Sequence, residues 1–295
     1  MSRVALLVSV VSLTCLVLIA SDCSKAHVRS MEENNIGVEY YQKKLYPQAV
    51  DHLNRAITLD SNNEQAHFNL AQVYIATSQW QDAATHLQNA IALNDKVADY
   101  HYKLGFAMYQ LNEYEQAETS LLKSSKMDPS LYKAYYRLGR TYEAMDRAED
   151  ALRQYTESIN KNPRFIDAYR DLGTLYAELD FLPQSVQVFQ SALEAVSEGS
   201  ADEAEIRHRL GTVFQEQRRY QDAIAQFRRA LEIDPRQNDT LFCLGWTYAM
   251  IDQQEDARLY LKKFVNAAKG NREIRADYVK AAQDKLFEFG ENPLR

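Results

Sequence analysis

The chain has 295 residues, 46% hydrophobic and 25% charged, with a formal net charge of −7, nine glycines, six prolines and three cysteines. This balance excludes a disordered or linker-rich polypeptide. It also excludes nucleic acid as the partner, because phosphate binding needs a basic footprint, and three cysteines supply neither a disulfide framework nor a paired zinc spacing.

The amino terminus reads as a targeting segment. Met1, Ser2 and Arg3 give a short positive start, residues 4–20 form an apolar run, and polarity returns at Ser21 and Asp22. As a helix this run spans about 25 Å, somewhat less than a bilayer core of about 30 Å, which favours a cleaved signal over a permanent anchor. Cys23, followed by Ser24 and Lys25, resembles the start of a mature bacterial lipoprotein, where the cysteine after the apolar run is lipidated. Asp22 and Ala20 depart from that family's usual residues, and cleavage after Ala26 is the alternative. Residues 1–26 are thus a signal peptide or a membrane or lipid anchor.

From residue 30 the chain repeats. Gly37, Gly105, Gly139, Gly173, Gly211 and Gly245 are spaced by 34 residues or a multiple, with one interval of 38, and Leu70-Ala71 fills the vacant slot. Three residues on stands Tyr40, Tyr74, Met108, Tyr142, Tyr176, Phe214 or Tyr248. Twelve on from the glycine a small residue recurs: Ala49, Ala83, Ala117, Ala151, Ser185, Ala223 and Ala257. Four further come Leu53, Leu87, Leu121, Tyr155, Phe189, Phe227 and Leu261. Spacings of three and four mark helix faces, and small followed by large one turn later lets two helices approach and lock. Pro47 and Pro183 fall where second helices begin. Pro129, Pro163 and Pro235 close their repeats.

The pattern predicts helical hairpins over 30–63, 64–97, 98–131, 132–165, 166–199, 204–237 and 238–271, about fifteen helices with a final cap, no strands, and one quasi-linear stack rather than two globular domains. The 38-residue interval is read as a longer loop at 197–202. Phe264 stands in a slot that holds Ala56, Ala90, Ser124, Ser158, Ala192 and Ala230 elsewhere, which marks the end of the stack. Residues 272–290 then form a capping helix whose Ile274, Tyr278, Ala281, Ala282 and Leu286 cover the apolar side of the seventh hairpin.

These residues resemble the tetratricopeptide repeat (TPR) family, with its pattern W-x2-L-G-x2-Y, A-x3-F and P. The leading tryptophan is replaced by Glu33, His67, His101, Tyr135, Tyr169, Arg207 and Leu241. The resemblance implies an all-α, right-handed α-solenoid of about seven hairpins plus a C-terminal capping helix, and a protein-binding role.

Catalytic parts are missing: there is no glycine-rich phosphate loop, no H-E-x-x-H and no G-x-S-x-G. No catalytic, cofactor-binding or metal residue is assigned, and no cofactor. His67 and His101 hold equivalent slots in adjacent repeats, as do His52 and His86. Such slots lie at least a helix-packing distance of about 8–10 Å apart, whereas zinc needs nitrogens at about 2.0–2.1 Å from one ion. Cys243 is read as a small core residue.

The first helix of each hairpin lines the inner face of such a stack. Beside its packed stripe lie Phe68, Gln72 and Ile75, then Tyr102, Phe106 and Tyr109, then Tyr136, Arg140 and Glu143, and later His208, Phe242 and Trp246. Lys103, Lys133, Arg137 and Arg140 border the central aromatics. The expected groove is Phe68, Tyr102, Lys103, Phe106, Tyr109, Lys133, Tyr136, Arg137, Arg140, Phe242 and Trp246. An aromatic floor with a basic edge suits a peptide bearing apolar and acidic residues; the alternative is that several of these rings pack between hairpins. Family clamps for chaperone tails would need matching residues at Phe68, Gln72, Lys103, Lys133 and Arg137, of which only the last two fit. The asparagine ladder of sugar-transferase relatives begins at Asn35 and Asn69 and breaks at Lys103, Arg137 and Asp171.

The expectation is an exported, non-enzymatic scaffold of the cell envelope, in the bacterial periplasm or as a membrane-anchored lipoprotein, with a secreted protein as the alternative. Its partners would be peptides or other proteins, such as envelope assembly components or proteases, and the membrane through the N-terminal segment. The reading from a different class is a non-catalytic subunit of an enzyme complex, or a hydrolase without a recognisable motif.

Overall fold

Short side chains recur wherever two helices must cross closely, and the structure, a computed structural model describing residues 25–269 and 274–291, is built on those crossings. The described residues form fifteen helices and no strand. Their contacts divide the chain into two compact units, with the division between Arg147 and Ala148. The first unit holds α1 (25–42), α2 (Tyr46–Leu59), α3 (Glu64–Ala76), α4 (Trp80–Leu93), α5 (Ala98–Gln110), α6 (Tyr114–Met127) and α7 (Tyr132–Ala144). The second holds α8 (Ala148–Lys161), α9 (Ile166–Glu178), α10 (Leu182–Ala195), α11 (Ala201–Glu216), α12 (Tyr220–Ile233), α13 (Asn238–Met250), α14 (Gln254–Ala268) and α15 (Ala276–Glu288). The division therefore falls inside the fourth repeat, between its two helices.

Within each unit consecutive helices pack on one another, and the first helices of successive hairpins also touch, as α5 does α7 and α11 does α9 and α13. The fold class is all-α, a solenoid of stacked helical hairpins. The residues at the recurring small positions, from Ala49 to Ala257, have no exposed surface, and Leu53, Leu87, Leu121, Phe227 and Leu261 have none either. A Cβ added to Gly105 would lie 2.5 Å from Leu121 Cγ, so the missing side chain is what lets α5 and α6 close on each other.

Every first helix that is followed by a turn ends the same way. Lys44, Ser78, Asn112, Asp146, Asp180, Arg218 and Asp252 all have φ between 56° and 63°, and the residue after each donates its N–H back to the aromatic-slot carbonyl, as Gln79 does to Tyr74 at 2.8 Å. This is a Schellman turn, which usually employs glycine. Asn and Asp tolerate the left-handed region through local hydrogen bonding, whereas Lys44, Ser78 and Arg218 bear a Cβ clash worth roughly 1–2 kcal/mol. All three are exposed, so little contact is lost by removing their side chains. Ser78→Gly and Arg218→Gly are each expected to stabilise the protein by about 0.5–1 kcal/mol, read as a raised urea midpoint at unchanged slope. A lowered midpoint in both variants contradicts this account.

The 38-residue interval is not simply a longer loop. The connection is 196–200, against 94–97 in the second repeat, and most of the insertion extends α11 at its N-terminus. The cause is local: Ser200 Oγ accepts from Glu203 N at 3.1 Å, and Glu203 Oε2 accepts from Gly199 N at 2.6 Å. This S-x-x-E pairing satisfies two otherwise orphaned donors and starts the helix one turn early. Glu203 is buried. Burial pushes its pKa up, but Arg207 at 2.7 Å and the Gly199 N–H outweigh that and hold it below the usual carboxylate value.

At the far end, Ala282 and Leu286 of α15 are fully buried against Leu241, Leu261, Phe264 and Val265, with Ile274 and Tyr278 partly buried beside them. Phe264, in a slot that Ala or Ser holds in earlier repeats, is itself fully buried in this cluster. Ala281 is half-buried.

Candidate functional site

In the first unit the face of first helices carries a run of rings and cations. Phe68 of α3 packs on Tyr100 of α5 at 4.6 Å, and Lys103 Nζ lies 5.9 Å from both the Phe68 and the Tyr102 ring. Phe106 is held edge-to-face by Trp80 at 5.5 Å. The Arg137 guanidinium covers Phe106 at 4.3 Å and lies 5.6 Å from Tyr136. Phe68, Tyr102, Phe106 and Tyr109 are half-buried, with Tyr109 tilted against Tyr114 at 5.7 Å. Arg140 is half-buried and Lys133 exposed, its Nζ 5.8 Å from the Tyr132 ring.

Tyr136 differs from the expectation that it lines an open groove. It is only 7% exposed, so its ring is already committed to the interior and can support Arg137 rather than meet a partner. Among the described residues Lys103, Lys133 and Arg137 form no ion pair, and the buried Arg137 Nε has no hydrogen-bond partner. The result is a half-open aromatic surface with uncompensated positive charge.

The histidines pair within a hairpin, not between equivalent slots of adjacent repeats. His52 Nδ1 meets Glu33 Oε2 at 2.7 Å, His67 Nδ1 meets His86 Nδ1 at 3.0 Å, and Arg207 Nη1 donates to Gln226 at 2.9 Å; all three join residues 19 apart, the slots that face each other across two helices. The other ring nitrogen of His67 bonds the Ser61 carbonyl. With that nitrogen donating, His67 Nδ1 accepts and His86 Nδ1–H donates to it. Among the described residues no group of three or more His, Cys, Asp or Glu is placed to hold a metal ion. Cys243 is a free thiol, pushed up to about 12 by burial and then by Asp239.

Burial holds His67, His86, His101 and His208 all below the ordinary value of 6.5, and the charge of His67 lowers His86 further. The unfolded chain takes up protons at 6.5 where the folded chain does not, so this stabilisation is complete above 6.5 and is lost as pH falls through the lower folded values. The thermal midpoint is expected to drop on the acid side of 6.5, and to drop less in a His67→Gln, His86→Gln variant. Equal pH profiles for variant and wild type contradict the assignment.

In the second unit the corresponding face differs. Phe242 is stacked on Tyr278 of α15 at 4.6 Å and lies 5.6 Å from Trp246 and 5.2 Å from Phe264; the cap thus covers the ring expected to meet a ligand. A cavity of about 660 Å³ opens instead beside α9, α11 and the start of α13, lined by Ala177, Glu178, His208, Arg209, Val213, Glu216 and Asp239 among others. Only His208 of these stood on the predicted inner stripe. Its Nδ1 donates to Thr240 Oγ1 at 2.8 Å, and Thr240 in turn donates to Gln237 at 2.7 Å. The signal missed in the sequence is Glu178 and Glu216, both five residues past a grid glycine, on the last turn of their helices.

Cys23 and the apolar run at 4–20 lie outside the described residues. Among the described residues no helix is long and apolar enough to cross a membrane.

Comparison with known proteins fits this geometry. Tetratricopeptide repeat models match residues 164–236, 208–272, 133–164 and 98–131, and a TPR repeat model matches 37–77 and 72–112. No curated protein matches the chain. Among solved structures, MamA is 26% identical with a TM-score of 0.54, over 57% of this chain and 91% of that one. PilF of Pseudomonas aeruginosa is 19% identical with a TM-score of 0.58, over 73% of this chain and 96% of that one. YrrB, a TPR protein with an unusual peptide-binding site, is 17% identical with a TM-score of 0.52, over 64% and 95%; the last two likenesses concern the fold alone. On the repeat models and the hairpin geometry together, the chain belongs to the tetratricopeptide repeat family.

Proposed function

We propose that this chain is a non-catalytic interaction scaffold whose first unit binds a peptide segment of a partner protein carrying apolar and acidic side chains. The observation that carries the reading is Arg137: its guanidinium lies on Phe106 at 4.3 Å, has no carboxylate partner among the described residues, and leaves Nε buried without an acceptor. A cation so placed gains from an incoming carboxylate, while the neighbouring half-buried rings offer apolar area. Lys103 and Lys133 extend the positive edge and would steer the encounter.

The proposal extends to location. The apolar run at 4–20 and Cys23 support export and lipid anchoring, with a role in assembly or quality control of a cell-envelope complex. Radiolabelled palmitate entering the wild type but not Cys23→Ser is the expected result; a mature chain starting at His27 rules the anchor out.

Binding is testable without knowing the partner. The chain has two tryptophans, Trp80 and Trp246, so in a Trp246→Phe background Trp80 alone reports on Phe106. Capped peptides combining Phe or Leu with Glu are expected to change Trp80 emission with micromolar affinity, near −8 kcal/mol, weakening with added salt. Peptides with Lys in place of Glu should leave it unchanged. Equal responses to both series would sink the reading.

A further inference from the structure

We propose that the hairpin of α3 and α4 is an acid-sensitive element, in which a proton on each of His67 and His86 breaks the contact between the two helices and loosens the hairpin locally. The support is a comparison within the chain. His67, Tyr74 and His86 occupy the slots that Glu33, Tyr40 and His52 hold one repeat earlier, and the two sets are built alike. Nδ1 of the second-helix histidine meets the first-helix side chain, at 2.7 Å for His52 on Glu33 and at 3.0 Å for His86 on His67. The tyrosine stacks on that histidine, at 5.2 Å for Tyr40 and 5.7 Å for Tyr74. The geometry is shared and the chemistry is opposite. A proton on His52 turns its contact with Glu33 into an ion pair. His67 and His86 hold one proton between their Nδ1 atoms; with a proton on each, two N–H donors and two positive charges face each other and neither donor has an acceptor.

The surroundings give the second proton little relief. His67 is 7% exposed and His86 half-buried, so water reaches neither ring freely. Asp82, one turn before His86 on α4, favours the charged form of His86, and the Ser61 carbonyl favours that of His67, but burial outweighs both. Tyr74 adds no charge, since burial and then Asp82 hold its hydroxyl above the ordinary value. Among the described residues α2 and α5, the other helices packed on this hairpin, bring no charged group to bear on either ring. Both folded values lie below 6.5, so the closed hairpin has its full stability above 6.5 and loses it as pH falls through them. The effect reaches further than the pair. α3 carries Phe68, and α4 begins at Trp80, whose ring holds Phe106 edge-to-face at 5.5 Å. A loosened hairpin therefore disturbs that face whatever docks there, as protonated histidine clusters do at interfaces.

Hydrogen exchange of the full chain, read by mass spectrometry at about pH 7.5 and about pH 5 and corrected for the intrinsic exchange rate, tests the proposal. In the wild type the amides of α3 and α4 are expected to lose protection at least about tenfold at the lower pH. His67→Glu installs the Glu–His contact of the first hairpin and should remove that loss. His67→Gln, which takes no proton, should remove most of it and keeps the test decisive where the glutamate variant does not fold. The amides of α11, where His208 is also held below the ordinary value by burial, serve as the control and should respond to acid alike in the wild type and both variants. The proposal is overturned if α3 and α4 of the wild type keep their protection at about pH 5, if they lose it equally in the His67 variants, or if those variants change α11 as much as α3 and α4.

Discussion

Phe227→Ala is expected to cost about 3–5 kcal/mol of stability, the range for deleting a buried aromatic whose surroundings cannot collapse. Phe227 has no exposed surface and packs in the second unit's core with Leu210, Phe214, Leu244 and Tyr248. Its ring also sits where a Gly211 side chain would be, with Cε1 only 2.6 Å from an added Cβ. Gly211→Ala should therefore cost about 1–3 kcal/mol by overpacking. The two changes are coupled. The second repeat already pairs an alanine at the glycine slot, Ala71, with Leu87, both fully buried, so Gly211→Ala with Phe227→Leu recreates a pairing this chain tolerates. The double variant should be more stable than the sum of the single losses by about 0.5–3 kcal/mol. Urea unfolding with matched slopes measures this, and strict additivity would show that the glycine and the ring do not share one space.

The same contact explains why the fold was legible. A helical hairpin that closes tightly needs a missing side chain at one point and a large one opposite, and that demand recurs in every repeat, so it survives as a sequence grid even where the leading tryptophan has gone. The helix-ending turns were not legible, because Lys44 and Arg218 occupy a left-handed backbone position that their own propensities oppose; the hairpin's closure imposes it. The insertion near Gly199 looks like loop by its length alone, but the Ser200–Glu203 cap converts most of it into helix. Equivalent histidine slots lie far apart along the stack, whereas across the hairpin a spacing of 19 brings His67 to His86. Phe242 could not be recognised as covered, since its neighbour Tyr278 lies on a helix outside the repeat pattern. The second unit's cavity was not legible because Glu178, Glu216 and Asp239, which line it, stand at helix ends rather than on the inner stripe.

The acidic-peptide face offers the sharpest functional expectation. Arg137→Ala should weaken a Phe- and Glu-containing peptide by about 2 kcal/mol, the threshold of an interface hot spot, because the ligand carboxylate loses a cation that is already partly desolvated. Arg137→Lys keeps the charge and loses the planar stack on Phe106, so it should recover only part of that energy. Phe106→Ala removes apolar area and also the surface that holds the guanidinium at 4.3 Å. Its effect should therefore overlap with that of Arg137→Ala, giving a coupling of about 0.5–2 kcal/mol in a double-mutant cycle. Lys133→Ala, on an exposed side chain, should chiefly slow association and reduce the salt dependence. Titration calorimetry with stopped-flow rates, on variants of unchanged helicity, separates these outcomes. If Arg137→Ala and Phe106→Ala both bind the peptide as tightly as the wild type, the first-helix face of this unit is not where it docks.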